Sequence, residues 1–403
     1  MYVGLEHSTT GVKVGIVSDD DHVTAFRILS DAIDEQSPFE DELEARFNVD
    51  DIELAAFAYS WGNGFSQIKP LSEVENRGLR ELEDLPDRIG FASDENDAYK
   101  AANVFDELTK MSVPSVALPG INEPHPDHMH PYFTIYSPLL SLDKIADARY
   151  AQHVFRQNET DGKHFITVNM SSSTVSSLVP GGKVRGGFSW LALIHGWFEV
   201  PRTLDLMRGE IEPGGAALSA GLLAKSGKSL DALEGAPDED LLRLVYWAVL
   251  HDVYSMVPFS DIKADTPLEG IVITGRLSPF REPFDVPKQF SDGLSDVGPV
   301  TIAEPFSCAY GAAHIAKEIC NGASHVLGLP VSDKVEPGRP GNVERAWAIR
   351  LHSPRWRRRP ASNRGHRSAS PGPYRRAFGT VEVRAWSGRG LSRQPRTGGS
   401  LRR

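Results

Sequence analysis

The chain has 403 residues, 40% of them hydrophobic, with 43 Lys and Arg against 54 Asp and Glu for a formal net charge of −11. That size and apolar content predict two or three domains with substantial cores, and the acidic balance argues against general nucleic-acid binding. No uncharged apolar run reaches the ~20 residues needed to span a bilayer: the longest, 241–259, is broken by Arg243, His251 and Asp252, so no membrane partner and a cytoplasmic location are expected.

In chain order, the apolar run Tyr2–Leu5 leads into Glu6-His7-Ser8-Thr9-Thr10-Gly11. Alternating Val12, Val14 and Ile16 follow, then an acidic turn at Asp19–Asp21 and a second alternating run over Val23–Leu29. This pattern predicts a strand, a hydroxyl-rich bend, a second strand, a tight hairpin and a third strand. The Asp19–Asp21 run lacks the Gly and Glu spacing of a calcium loop and reads as a solvated hairpin tip. Next come a polar helical stretch at 39–47, a strand at 52–59 and the loop Trp61-Gly62-Asn63-Gly64, which reads as a cleft-lining segment or an ordinary turn. A helix over 94–111 capped by Asp94, a strand over 113–118 and a helix over 142–154 capped by Ser141 complete the first half. An antiparallel trio followed by alternating helices and parallel strands is the order of a ribonuclease-H-like domain.

About 165 residues on, the pattern restarts. Phe165–Val168 leads into Asn169-Met170-Ser171-Ser172-Ser173-Thr174, then Val175–Val179, the turn Pro180-Gly181-Gly182 and a strand over 183–188. A Gly-rich helical region at 204–225 and a helix from Glu239, with Leu242, Val245, Val249, Val253 and Met256 on one face, come next. Strands are expected over 270–274 and 300–303. The last helix, 306–319, carries a stripe of Ala309, Ala312, Ala313 and Ala316 that admits a close neighbour. Cys308 and Cys320, twelve positions apart on that helix, cannot bridge each other and match no zinc spacing.

From Gly338 onward the chain has 17 Arg, no Lys and two acids, leaving 26 basic and 52 acidic residues in 1–337. Such a segment has no apolar period and is expected to be disordered, or to be an out-of-frame reading of a GC-rich gene. It is also the one part suited to bind nucleic acid. The expected organisation is therefore α/β: two duplicated ribonuclease-H-like domains, 1–157 and 158–337, flank a cleft, with a basic tail over 338–403. Hydroxyl-rich bends between strands suit phosphate, because backbone N–H and side-chain OH groups can converge on an anion.

Three stretches carry a resemblance: MYVGLEHSTTG; NMSSSTVSSLVPGGKVRGGF with IHGWFEVPRTLDLMRGEI; and GIVITGRLSPFREP with SCAYGAAHIAKEICNGASHVLGLPV. Over residues 1–337 the chain resembles the methanogenesis marker protein 12 family, related to acetate and butyrate kinases within the sugar-kinase, heat-shock chaperone and actin superfamily. The resemblance implies ATP and Mg2+ as cofactors. It implies a first phosphate loop at Glu6, Ser8, Thr9 and Thr10, and a second at Asn169, Ser171, Ser172, Ser173 and Thr174. An adenosine-contacting turn falls on Thr274, Gly275 and Arg276. Glu6 and Asp205 are implied as metal-holding or general-base groups, and Arg208 as an anion clamp; the plainer reading of Arg208 is a surface arginine paired with Glu210 or Glu212. His195-Gly196 falls on the cleft wall.

Three departures weaken the catalytic reading. Glu6 stands where an Asp is usual, neutral Asn169 where an acid is usual, and Gly275-Arg276 where Gly-Gly is usual. Losing carboxylates weakens Mg2+ recruitment and water activation more than nucleotide binding. The function expected is an ATP-dependent switch or assembly factor with weak hydrolysis, acting on a small-molecule or protein partner. The alternative is a phosphotransferase resembling short-chain carboxylate kinases. Separately, His125, His128 and His130 form the densest set of metal-ligating side chains, with an exposed polar loop as the plainer reading.

Overall fold

The computed structural model describes residues 1–8, 11–29, 33, 39–58, 65–74, 104–111, 113–120, 125–136, 142–171, 174–188, 204, 207–210, 221–228, 237–260 and 267–337. The loop 61–64, the 94–103 part of the expected helix, Ser141, His195-Gly196, most of 204–225 and the tail 338–403 lie outside them.

The first sheet contains β1 (Tyr2–Ser8), β2 (Gly11–Val17), β3 (Val23–Leu29), β4 (Leu54–Ala58), β5 (Lys69–Pro70) and β6 (Ser115–Ala117), in the order β3-β2-β1-β4-β6-β5. β1 and β2 pair antiparallel with Glu6 opposite Lys13 and Ser8 opposite Gly11, while β1, β4 and β6 run parallel. The second sheet contains β7 (Phe165–Asn169), β8 (Val175–Val179), β9 (Gly186–Phe188), β10 (Gly270–Thr274) and β11 (Val300–Ile302), ordered β11-β10-β7-β8-β9. β7 pairs antiparallel with β8 and parallel with β10. Each sheet is thus built on one central strand, β1 or β7, with an antiparallel pair on one side and parallel strands on the other, to which the first sheet adds β5 as an antiparallel edge. The expected strand at 183–188 shortens to Gly186–Phe188 because 180–182 form a helical turn with Gly181 and Gly182 at positive φ.

Helices α1 (Phe39–Glu44), α2 (Pro131–Tyr136), α3 (Leu142–Gln157), α4 (Leu222–Lys225), α5 (Glu239–Met256), α6 (Val286–Gly293) and α7 (Ser307–Cys320) surround the sheets, with a short pair β12 (His325–Val326) and β13 (Leu329–Pro330) after α7. The Asp238 carboxylate caps α5 by accepting from Leu241 N at 2.8 Å. The helix buries Leu242, Val245, Val249, Val253 and Met256 with Ile166, Val168, Ile271 and Ile273 of the second sheet. Burying each such side chain is worth about 1.5–3 kcal/mol.

The connecting helices are exchanged between the halves. α3 follows the first sheet yet packs on β7 and β8, whereas α7 follows the second sheet and packs on β1, β2 and β4. The small-residue stripe makes this approach possible. A Cβ on Gly4 would lie 1.9 Å from Ala309 O, and one on Gly311 would lie 1.8 Å from Ala146 O. Backbone therefore meets backbone at both faces of α7, fixing it against the first sheet and α3 together. Cys308 and Cys320 are free thiols. Among the described residues no helix is long and apolar enough to cross a membrane.

Candidate phosphate-binding site

Both bends begin at the ends of central strands. Glu6, two residues before the end of β1, is 8% exposed and pairs across the strands with Lys13, whose Nζ lies 2.8 and 3.0 Å from its two carboxylate oxygens. This contact follows from the register that sets Glu6 opposite Lys13. The Glu6 carboxylate is therefore committed to an ammonium, and Lys13 places a positive charge beside the first bend. The backbone of Ser8 closes β1; Thr9 and Thr10 lie outside the described residues.

Asn169 ends β7 and stands in register with Thr274 at the end of β10. Met170 N donates to Thr274 O at 2.9 Å, and Leu277 N donates to Met170 O at 3.0 Å. Gly275 adopts φ +88, and a Cβ there would lie 2.5–2.7 Å from the Met170 main chain. The 274–277 turn thus lies directly against the start of the second bend, and only glycine fits its second position. Thr274 is fully buried, with its hydroxyl 3.3 Å from Val168 O. The Thr174 hydroxyl donates to Ser171 O at 2.9 Å, so it closes the bend on itself. Ser172 and Ser173 lie outside the described residues.

The end of β7 meets α3 and, through it, the start of α7. Asp147, 1% exposed, accepts from Asn169 Nδ2 at 2.5 Å through one oxygen and from Ser307 Oγ at 2.9 Å through the other. Burial pushes its carboxyl up to about 6; Lys144 and the Asn169 bond pull down against this, and the nearby Glu6 adds to the rise. Lys144, 2% exposed, contacts the carboxylate of Asp143. Burial and the surrounding Glu6, Asp147 and Asp143 hold the Cys308 thiol well above its usual range. Glu6, Asp143, Lys144, Asp147, Asn169 and Ser307 form one buried polar group where strand ends from both sheets meet the starts of two helices.

The remaining expected residues are less connected. Arg208 lies in an exposed stretch, and Asp205 lies outside the described residues. Among the described residues no group of three or more His, Cys, Asp or Glu side chains could hold a metal ion. His130 packs its ring on Phe259 and Phe133 and accepts from Tyr132 N, while His128 lies beneath Gly328.

Lys13, Asp147, Lys144 and Ser307 escaped the sequence reading. Lys13 could have been found by counting strand register outward from Ser8 and Gly11. Asp143 and Asp147 share a helix face at i and i+4, an acidic pair on an otherwise alanine-rich segment. Their partners lie too far away in sequence to be read.

No protein-family model matches the chain. It is 28% identical over 348 residues to a UPF0285 protein of Methanocaldococcus jannaschii, covering 82% of this chain and 99% of that protein. It is 26% identical over 349 residues to a UPF0285 protein of Methanothermobacter thermautotrophicus, covering 82% of this chain and 98% of that protein. Among solved structures it is similar to a propionate kinase from Francisella tularensis (TM-score 0.45, 13% identity, 77% of this chain and 98% of that one). It is also similar to an acetate kinase from Entamoeba histolytica (TM-score 0.45, 12% identity, 78% and 99%). A third is a putative N-acetylmannosamine kinase from Listeria monocytogenes (TM-score 0.44, 13% identity, 80% and 100%). The chain is thus similar to UPF0285 proteins of methanogens over nearly their whole length, and its two-sheet α/β plan rests on its own strand order.

Proposed function

We propose that the chain binds ATP between two duplicated ribonuclease-H-like halves and acts as a nucleotide-dependent switch with weak hydrolysis. The observation that supports this reading is the clasp at the start of the second bend: Asn169 bonds to Asp147, whose other oxygen is held by Ser307 of α7, the helix packed on β1. The repeated strand plan and the exchanged helices α3 and α7 add support, since each half is covered by a helix that belongs in sequence to the other. Movement of one half would have to act through those helices.

The polar groups favour a switch over efficient phosphoryl transfer. Transfer relies on positioning, metal ions and a carboxylate free to orient or deprotonate the nucleophile. Here Glu6 is held by Lys13, and Asp147 is held by two donors. A Mg2+ brought by the nucleotide would be contacted through its waters, with Asn169 Oδ1 as the acceptor not already held by another group. Such an ion would neutralise charge on the phosphates. Lys13 would supply a fixed positive charge beside the first bend, and α7 and the 274–277 turn would hold the second in shape.

Incubating the full chain with Mg-ATP and a panel of short carboxylates separates the two readings. Slow ADP release that ignores the carboxylates, together with altered protease sensitivity, is expected of a switch. ADP release that depends on one carboxylate establishes a phosphotransferase instead.

A further inference from the structure

The Asn169 side chain is more than nine-tenths buried, and its Oδ1 has no hydrogen-bond partner in the structure. Its orientation is fixed by chemistry. A carboxylate accepts only, so the amide must turn Nδ2 toward Asp147, leaving Oδ1 directed away as an acceptor. The main chain beside it is held separately, by Met170 bonding to Thr274 and Leu277 and by Gly275 against Met170. The other Asp147 oxygen reaches Ser307 at the first turn of α7, the helix that touches the first sheet through Gly4 and Gly15. The charged and titratable groups facing Asp147 are Lys144 and Asp143 on its own helix, Glu6 on β1 and Cys308 on α7.

We propose that Asp147 is a positioning residue: its carboxylate fixes the Asn169 amide with Oδ1 left as the acceptor, and it ties the start of the second bend to α7. The inference rests on the reading of the bends as a nucleotide site and names how one of them is set. An acceptor at this point receives a hydroxyl, an amine or a metal-bound water and repels a bare phosphate oxygen. Loss of the clasp also frees α7 at Ser307.

A residue swap tests this. Asp147→Asn with Asn169→Asp keeps every bond with reversed polarity: the new amide on α3 donates to the new carboxylate on β7 and still accepts from Ser307. Asn169→Asp alone sets two carboxylates within hydrogen-bond distance, which must share a proton. Hydrogen exchange of the 165–179 segment in ligand-free protein is the readout. In the single variant exchange, corrected for intrinsic rate, should rise about tenfold or more at pH 8 and fall back near pH 5. The double variant should match the native protein at both. A packing role alone predicts the double variant to be worse than either single one. Exchange in the double variant as fast as in Asn169→Asp, or no pH dependence in that single variant, overturns the proposal. Mg-ATP binding by the same proteins is measured in parallel. Failure of the native chain to bind sinks the nucleotide reading, while the exchange data still decide the clasp.

Discussion

Replacing Gly275 with alanine tests the architecture of the second bend, because two separable penalties fall on one position. The backbone sits at φ +88, and the added methyl would lie 2.5–2.7 Å from Met170 main-chain atoms. Left-handed backbone costs an L-residue about 1–2 kcal/mol. Forcing a methyl into packed backbone costs a further 1–3 kcal/mol, roughly. Gly181 supplies the control: its φ is +62, and a Cβ there meets nothing within 4 Å. It lies at the other end of β7, where Gly181 N approaches His164. Gly181→Ala should therefore lose about 1–2 kcal/mol in urea titrations, and Gly275→Ala about 2–5 kcal/mol. Because Met170 must move, Gly275→Ala should also lose its Mg-ATP-dependent rise in melting temperature, whereas Gly181→Ala keeps it. Equal destabilisation of the two variants, or undiminished nucleotide response in Gly275→Ala, refutes the close packing of this turn on the bend.

Two further outcomes are expected. Asp252 on α5 is 2% exposed; its Oδ2 lies 3.4 Å from Ser176 Oγ, and its Oδ1 has no hydrogen-bond partner. Burial pushes this carboxyl from 3.8 up to about 8, against which the Ser176 contact pulls only weakly. The folded chain then holds a proton that the unfolded chain releases, so stability falls as pH rises between those values, by about 1.4 kcal/mol per unit. Asp252→Asn should match the native protein near pH 4 and exceed it by several kcal/mol, roughly, at pH 8; a difference that does not change with pH counts against burial as the cause. Thr9→Val removes a hydroxyl donor from the first bend and should weaken Mg-ATP binding about tenfold or more by calorimetry; unchanged affinity would remove Thr9 from the site.

The opening hairpin was legible because its signals are local. Side-chain alternation gives strands, Asp19–Asp21 gives a turn, and the observed β2 and β3 follow. The same applies to α5, whose apolar residues at three- and four-residue steps face the second sheet, and to β8 and β10. Histidine spacing is less informative for the converse reason. His128 and His130 are neighbours in sequence, yet His130 packs on Phe259 while His128 lies beneath Gly328.

What the sequence settled by itself is the alternation of strands and helices and the close approach admitted by the alanines of α7, since residue size and period act over a few positions; that Gly4 and Gly311 are the points of contact came from the fold. Only the tertiary structure decided which charges meet. Asp147 reaches Asn169 across 22 positions and Ser307 across 160, contacts created when α3 and α7 cross to opposite sheets. Hydrogen bonding at that range depends on how whole elements are placed, and no local pattern encodes it.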